Sequence, residues 1–183
     1  MDQHSRAIVT EVIGSIAIVR FNRPAKRNPL SISTLQELKN ILSTLLPRED
    51  IEGMIITGTG DVFASGADIR ELVQLNPASA LEFSRLGQGL FQALADAKQI
   101  TIAAINGYCL GGALDLALAC DIRVASSAAV FSHPGARLGS ITGWGGTQRL
   151  PRLIGRARAL ELFATARRYS SEAARKTRSD RGC

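Results

Sequence analysis

The stretch that decides the fold is residues 102–121, IAAINGYCLGGALDLALACD. An apolar run of strand length is followed by an Asn-Gly turn and then by Gly111 and Gly112, which open an apolar segment typical of a helix. The first N–H groups of a helix lack partners within it and lie at the positive end of its dipole, so uncovered amides there can bind a developing negative charge. Glycines at this junction are equally typical of a tight turn with no further role.

A second stretch, residues 61–72, has a similar design. DVFASGADIREL runs from apolar residues through small ones into Asp68 and the expected start of a short helix. Its small residues leave a second set of backbone amides exposed. Two such sets, if they meet, form an oxyanion hole, which stabilises an enolate or a tetrahedral intermediate by preorganised donors.

Together these stretches and a third one resemble a known family. VFASGADIREL, AAINGYCLGGALDLALACDIRVA and LGSITGWGGTQRLPRLIG occur in the order and spacing of the enoyl-CoA hydratase/isomerase family, also called the crotonase superfamily. The resemblance runs from about residue 8 to about residue 166. It implies an α/β fold, the ββα spiral of the ClpP/crotonase type, that binds acyl-CoA thioesters. It also implies that the N–H groups of Ala67 and Gly112 stabilise the thioester enolate.

The resemblance further assigns acid–base groups. Asp115 stands where hydratases of this family carry a glutamate that acts on the attacking water, and the aspartate is one methylene shorter. Gly135 stands where they carry a second glutamate. His133 lies nearby and is a candidate proton donor near neutral pH, although a histidine beside proline is more often a structural hydrogen-bonding group.

A loop with two prolines, residues 22–31, carries two cations that suit the phosphates of a nucleotide. The resemblance places this loop, and the segment before the short helix, at the CoA site. The candidate CoA contacts are Lys26, Arg27, Ala64, Asp68, Ile69 and Arg70, and the alternative for the three cations is a solvated surface. Trp144 is a candidate wall of the acyl pocket or an ordinary packing residue, and Thr142 replaces a proline that is usual in the family.

Local patterns predict the flanking elements. Two apolar runs joined by Gly14 and Ser15 predict a hairpin over residues 7–21. Ser31 or Ser33 is expected to cap a helix that ends near Leu46. Residues 77–98 are expected to form an amphipathic helix, with the following residues facing the core: Leu81, Leu86, Leu90, Phe91 and Leu94.

Composition limits the class of protein. The 183 residues suffice for one domain, no apolar run reaches membrane-spanning length, and the N-terminus lacks a signal-peptide core. We expect a cytoplasmic protein with neither membrane nor nucleic-acid partners. Three cysteines without a CxxC pair and two histidines predict no metal site, and Cys109 and Cys120 are expected to be buried, reduced thiols.

The net charge of +6 is confined to one end of the chain. Acidic and basic residues balance up to Leu150, whereas the remainder is strongly basic. We expect a spiral core over residues 1–165 and a basic, disordered tail over residues 166–183, in a member that lacks most of the family's C-terminal helical region. Where that shortening permits, the resemblance implies a homo-oligomer, a trimer or a dimer of trimers.

The sequence thus predicts an acyl-CoA enzyme, nominally an enoyl-CoA hydratase that adds water syn to a 2-enoyl-CoA in fatty-acid metabolism. Coenzyme A enters as part of the substrate, and no other cofactor is expected. Because Gly135 removes the second carboxylate, the alternatives are an isomerase, a decarboxylase, a thioester hydrolase, or a non-catalytic acyl-CoA binder or partner subunit.

Overall fold

A computed structural model describes residues 6–179 of the chain. The strands are β1 (Ile8–Ile13), β2 (Ile16–Phe21), β3 (Pro29–Leu30), β4 (Gly53–Gly58), β5 (Val62–Ala64), β6 (Gly66–Ala67), β7 (Ile100–Ile105), β8 (Tyr108–Leu110), β9 (Ile122–Ala125), β10 (Val130–Ser132) and β11 (Tyr169–Ser170). The helices are α1 (Ile32–Leu45), α2 (Ile69–Leu72), α3 (Pro77–Ala95), α4 (Gly112–Ala119), α5 (Gly146–Ile154), α6 (Arg156–Thr165) and α7 (Ser171–Ser179).

The strands form two larger sheets and one two-stranded sheet made of β3 and β6. The five-stranded sheet has the order β1-β2-β4-β7-β9, and the four-stranded sheet has the order β11-β10-β8-β5. β1 and β2 form the predicted antiparallel hairpin, while β2, β4, β7 and β9 run parallel. Each of β4, β7 and β9 is followed by a strand of the second sheet and then by a helical segment. This repeated unit is the ββα spiral that the sequence predicts.

The core lies on one face of the five-stranded sheet. Every second residue of β2 is buried, as the period of two along a strand requires. Against this face pack Leu35, Leu38 and Leu42 of α1, together with Leu90, Phe91 and Leu94 of α3, and all six are at most 5% exposed. Burying a side chain of this size stabilises the fold by about 1.5–3 kcal/mol.

Two caps fix where the long helices begin. Ser31 Oγ accepts a hydrogen bond from Thr34 N at the start of α1, and Asn76 and Ser79 form a reciprocal capping box at the start of α3. The helix expected over residues 77–98 ends at Ala95. The expectation that Leu81 faces the core is wrong, because its side chain is 51% exposed. It lies near the N-terminal end of α3, and the buried residues of this helix begin at Phe83.

The part of the tail that the structure describes is ordered, which corrects the expected disorder. β11 pairs antiparallel with β10, and Ser171 N donates to Ala129 O at 3.0 Å. Within α7, Lys176 and Glu172 form an ion pair one turn apart at 2.8 Å. Backbone pairing to β10 therefore supplies order that the polar composition does not. The boundary at residue 165 stays a prediction, and residues 180–183 lie outside the described residues.

Within residues 6–179, we find no helix with the length and apolar character needed to cross a membrane. Cys109 and Cys120 are buried free thiols, as expected. Burial raises the pKa of Cys109 well above its usual value and raises that of Cys120 to about 12.

Candidate active site

The two predicted amide segments lie side by side. β6 runs past the start of α4, and a Cβ added to Gly66 would lie 3.0 Å from Gly112 N and 2.6 Å from Leu110 O. Gly66 also has φ +87°, so both sterics and backbone conformation require glycine there. Glycine at position 66 is thus what lets the segment bearing Ala67 approach the N-terminus of α4.

The amide of Gly112 lies at the N-terminus of α4, where the sequence predicts a helix to begin. Gly111, with φ +56°, caps α4, and its own N–H donates to Ser132 O at 2.9 Å. Gly112 is the first residue of α4, so its N–H has no carbonyl partner within the helix. The neighbouring Ala67 is held by pairing of β6 with β3, in register with Leu30. Binding of one carbonyl oxygen by both N–H groups stays a prediction.

Asp115 lies one helical turn after Gly112 and is 1% exposed. Its Oδ1 is 3.3 Å from His133 Nε2, and its Oδ2 accepts a hydrogen bond from Thr142 Oγ1. Oδ1 also lies against Gly146, the first residue of α5, where a Cβ would clash with it. The positive end of that helix favours a carboxylate. A buried charge needs such compensation, and two hydrogen-bonding groups and a helix dipole provide it here.

His133 is 5% exposed and precedes a 3₁₀ turn, Pro134–Leu138. Its ring packs edge-to-face on Phe163, with the centroids 5.2 Å apart. Its Nε2 faces Asp115 Oδ1 at 3.3 Å, and whether Nε2 donates or accepts depends on the tautomer of the ring. The structure therefore brings Asp115 and His133 together as a buried pair, which supports His133 as a functional candidate without testing its role.

Position 135 has no room for a side chain. A Cβ on Gly135 would lie 2.7 Å from Ser140 O, and Ser140 N donates to Gly135 O at 2.9 Å. The segment after the 3₁₀ turn folds back onto this glycine. A carboxylate at position 135 is consequently incompatible with the present path of residues 139–141.

The candidate CoA loop is held against β5 by Asn28. Its side chain donates to Val62 O at 3.1 Å and to Phe63 O at 3.2 Å, and accepts from Arg23 N at 2.7 Å. Asn28 and the preceding Arg27 both adopt positive φ, at 47° and 63°. This sharp turn brings the loop to the residues that follow β6.

Three of the candidate CoA contacts form a charged cluster. The Arg70 side chain donates to Asp68 Oδ1 and Oδ2 at 3.0 and 2.7 Å. These hydrogen bonds are the main cause of a lowered pKa of Asp68, with further contributions from the Arg70 backbone N–H and the charge of Lys26. The Arg70 side chain is 79% exposed and therefore open to a ligand. We call Lys26, Asp68 and Arg70 the phosphate cluster.

The other candidate CoA contacts lie outside this cluster. Arg27 faces Asp61 at 3.7 Å and lies over the ring of Tyr108 at 5.3 Å. Ala64 has a fully buried side chain, so only its backbone could meet a ligand, whereas Ile69 is 51% exposed. The sequence alone could not separate these residues, because the resemblance assigns whole segments, and not individual contacts, to the CoA site.

One contact of the site, between Thr142 and Asp115, was not predicted from the sequence. Thr142 lies in a glycine-rich loop, and its hydroxyl donates a hydrogen bond to the distant carboxylate of Asp115. No sequence pattern indicates such a contact. Trp144 is 4% exposed and packs edge-to-face on Phe83 and Phe91, which favours the packing interpretation.

A cavity of about 580 Å³ lies elsewhere, on the other side of α4, with Leu114, Leu118 and Phe131 in its lining. None of the predicted site residues lines it.

Among residues 6–179, no cluster of three or more histidine, cysteine or carboxylate side chains could hold a metal ion. The candidate site therefore consists of the amides at Ala67 and Gly112, the Asp115–His133 pair with Thr142, and the phosphate cluster. These parts can polarise a carbonyl, move a proton and bind an anion.

Comparisons with known proteins agree with this architecture. The model of the enoyl-CoA hydratase/isomerase family matches residues 11–177. The short-chain-enoyl-CoA hydratase of Clostridium acetobutylicum is 38% identical over 91% of this chain and 64% of its own length. The crotonyl-CoA hydratase of Syntrophomonas wolfei is 42% identical over 87% of this chain and 62% of its own. The chain thus spans slightly less than two thirds of these relatives.

Solved structures give the same result. The enoyl-CoA hydratase of Bacillus anthracis superposes with a TM-score of 0.90 at 36% identity, covering 94% of this chain and 68% of that one. DspI of Pseudomonas aeruginosa superposes with a TM-score of 0.90 at 33% identity, covering 98% and 73%. On sequence, fold and the matched residues, the chain belongs to the enoyl-CoA hydratase/isomerase family.

Proposed function

We propose that this protein binds acyl-CoA thioesters and adds water to the double bond of a short 2-enoyl-CoA in fatty-acid metabolism. The observation that carries the proposal is the close approach of Gly66 to Gly112 N, which sets two amide-bearing segments beside one buried carboxylate. The activities named for the two relatives, hydration of enoyl-CoA and crotonyl-CoA, point to the same reaction.

In this mechanism the thioester carbonyl oxygen accepts hydrogen bonds from Ala67 N and Gly112 N. Asp115 takes a proton from a water molecule while the oxygen of that water bonds to the β-carbon. The electrons of the double bond move toward the carbonyl oxygen, whose negative charge the two amides stabilise. A proton then adds to the α-carbon, on the face from which water added. Hydration changes no oxidation state overall, so coenzyme A is the only cofactor-like group in the proposal.

The proton for the α-carbon comes from His133 in this proposal. Position 135 holds glycine and its surroundings exclude a side chain, so no carboxylic acid acts from there. His133 Nε2 lies 3.3 Å from Asp115 Oδ1. In this proposal Nε2 accepts the proton that Asp115 took from water, and His133 gives the hydrogen of its other ring nitrogen, Nδ1, to the α-carbon, so that both side chains keep their starting charge.

Lys26 and Arg70 would bind the nucleotide phosphates of CoA. Arg70 is already paired with Asp68, and a phosphate can join the exposed face of its guanidinium. Assembly into a trimer or a dimer of trimers and a cytoplasmic location belong to the same proposal. Light scattering of the purified protein tests the assembly, since a monomer would contradict it.

The missing carboxylate at position 135 favours a second candidate, decarboxylation of an acyl-CoA that carries a carboxyl group on its α-carbon. Loss of CO₂ leaves an enolate, so this reaction uses the amide pair and a proton donor but no water-activating base. Non-catalytic binding of acyl-CoA is the remaining alternative. Incubation with crotonyl-CoA and with malonyl-CoA, followed by mass spectrometry of the products, distinguishes the three.

The deciding experiment follows loss of the conjugated thioester absorbance of crotonyl-CoA. We expect hydration well above the buffer rate, and a fall of about 10²–10⁴-fold in Asp115→Asn, the range typical of a lost general base. The control is Asp96→Asn, the same change at an exposed position at the end of α3, which should leave the rate unchanged. A wild-type rate equal to that of buffer would contradict the proposal.

A further inference from the structure

The Asp115 carboxylate is held at both of its oxygens. His133 Nε2 contacts Oδ1, and Thr142 Oγ1 donates to Oδ2. Asp115 and His133 are almost wholly buried, whereas Thr142 is only half-buried. Each carboxylate oxygen has two lone pairs, so one on each oxygen remains for a water molecule. The two contacts together fix the rotation of the carboxylate about its bond to Cβ.

The segment that carries Thr142 is held in place by the contacts of the two residues that follow it. Ser84 Oγ and Gln88 Nε2, both on α3, donate to Gly143 O at 3.1 and 2.7 Å. On the other side of Gly143, the indole Nε1 of Trp144 donates to Phe83 O at 3.3 Å. The segment that carries Thr142 is therefore attached to α3, while Asp115 belongs to α4.

We propose that Thr142 is a positioning residue that aims the Asp115 carboxylate at the water in the proposed hydration. The inference rests on the proposed function only for what the carboxylate does, since the contact itself is independent of the reaction. Without the hydroxyl, Oδ2 loses its donor in a buried environment and the carboxylate turns to find another. Misplacement of a reacting group by about 1 Å can cost on the order of 100-fold in rate.

Three variants test this proposal. Thr142→Val keeps the shape and removes the hydroxyl, and Thr142→Ser keeps the hydroxyl. Thr147→Val makes the same change in α5, where the hydroxyl accepts a hydrogen bond from Gln148 Nε2. We expect Thr142→Val to lower kcat for crotonyl-CoA about 10- to 100-fold with KM within about twofold. Thr142→Ser should stay within about threefold of wild type in kcat, and Thr147→Val should match wild type.

A purely structural role would give a different result, in which Thr142→Ser fails to rescue the rate or Thr142→Val lowers the melting temperature with kcat intact. Either result would overturn the proposal. If the Thr142→Val protein does not fold, the Thr142→Ala variant takes its place in the test, because it removes the same hydroxyl without adding volume.

Crystal structures of Thr142→Val and Thr142→Ser give a readout that needs no activity. We expect the Asp115 carboxylate to be rotated in the valine variant and unchanged in the serine variant. If wild type does not hydrate crotonyl-CoA but this rotation is seen, the proposed function fails and the positioning contact stands. An unrotated carboxylate in the valine variant would overturn the role of Thr142 whatever the activity.

Discussion

The indole of Trp144 packs directly against Gly112, in the space that a side chain at position 112 would occupy. The opposite edge of the same ring packs on Gly87 of α3, where a Cβ would also clash. Trp144 therefore joins α3 to the N-terminus of α4 through two glycines. The position of the Gly112 amide depends on this packing.

This contact predicts opposite effects for two glycines of one helix. Gly87→Ala places a methyl group into the indole and should destabilise the protein by about 1–3 kcal/mol, as overpacking of a core does. Gly89→Ala meets open space and should stabilise it by about 0.5–1 kcal/mol, because alanine is the better helix former. Urea unfolding of the two variants beside wild type measures both. Equal effects would show that the indole does not pack on Gly87.

Restoring a carboxylate at position 135 should not raise the hydration rate. The Cβ of Gly135→Glu would lie 2.7 Å from Ser140 O, so the segment that carries Thr142 would have to move. We expect a loss of about 1–3 kcal/mol in the free energy of unfolding. Ala136→Glu, the same charge at the exposed neighbouring position, should change it by less than about 0.5 kcal/mol. A Gly135→Glu protein that is stable and faster would contradict the described backbone path.

If the phosphate cluster binds the nucleotide of CoA, its variants should change KM for crotonyl-CoA but not for crotonyl-pantetheine. Lys26→Ala and Arg70→Ala should each raise KM for crotonyl-CoA about 3- to 10-fold, the effect of one partly screened ionic contact, with little change in kcat. Crotonyl-pantetheine lacks the nucleotide, so its KM should not respond. Lys39→Ala, which removes an exposed cation of α1, serves as the control. Equal responses of the two thioesters would exclude phosphate binding by the cluster.

The two buried thiols should resist alkylation. Burial raises the pKa of Cys109 well above its usual value and that of Cys120 to about 12, so both stay protonated and unreactive at pH 7–9. A Cys183→Ser protein treated with iodoacetamide at pH 8 should incorporate no label when native, and two labels when unfolded in guanidinium. Mass spectrometry of the intact protein gives the number of labels. Rapid labelling of the native protein would contradict the described burial.

Much of the fold follows from local patterns. The hairpin of β1 and β2 was predicted from two apolar runs and a Gly-Ser turn, and α1 is capped by Ser31, one of the two predicted caps. Patterns of this kind act within a few residues and so are visible in sequence. The exposure of Leu81 and the pairing of β11 with β10 depend on which distant segment lies opposite, and no local pattern encodes that.

The candidate site was predictable in its backbone parts and less so in its side-chain contacts. Glycines mark the amide segments because Gly66 approaches the backbone of residues 110–112, Gly111 has a positive φ, and Gly112 leaves room for an indole ring. The contact between Thr142 and Asp115 spans 27 positions and joins a loop to a helix. A threonine at such a place has no distinguishing pattern, so only the folded structure reveals its partner.

The central claim is that Ala67 N and Gly112 N together bind one thioester carbonyl oxygen. The most direct test is the infrared stretch of that carbonyl in butyryl-CoA labelled with ¹³C at the carbonyl carbon, since the saturated thioester binds without being hydrated. Two preorganised donors should lower the stretching frequency below its value in water. A bound frequency equal to or above that in water would mean that the amides do not hold the carbonyl, and would contradict the account.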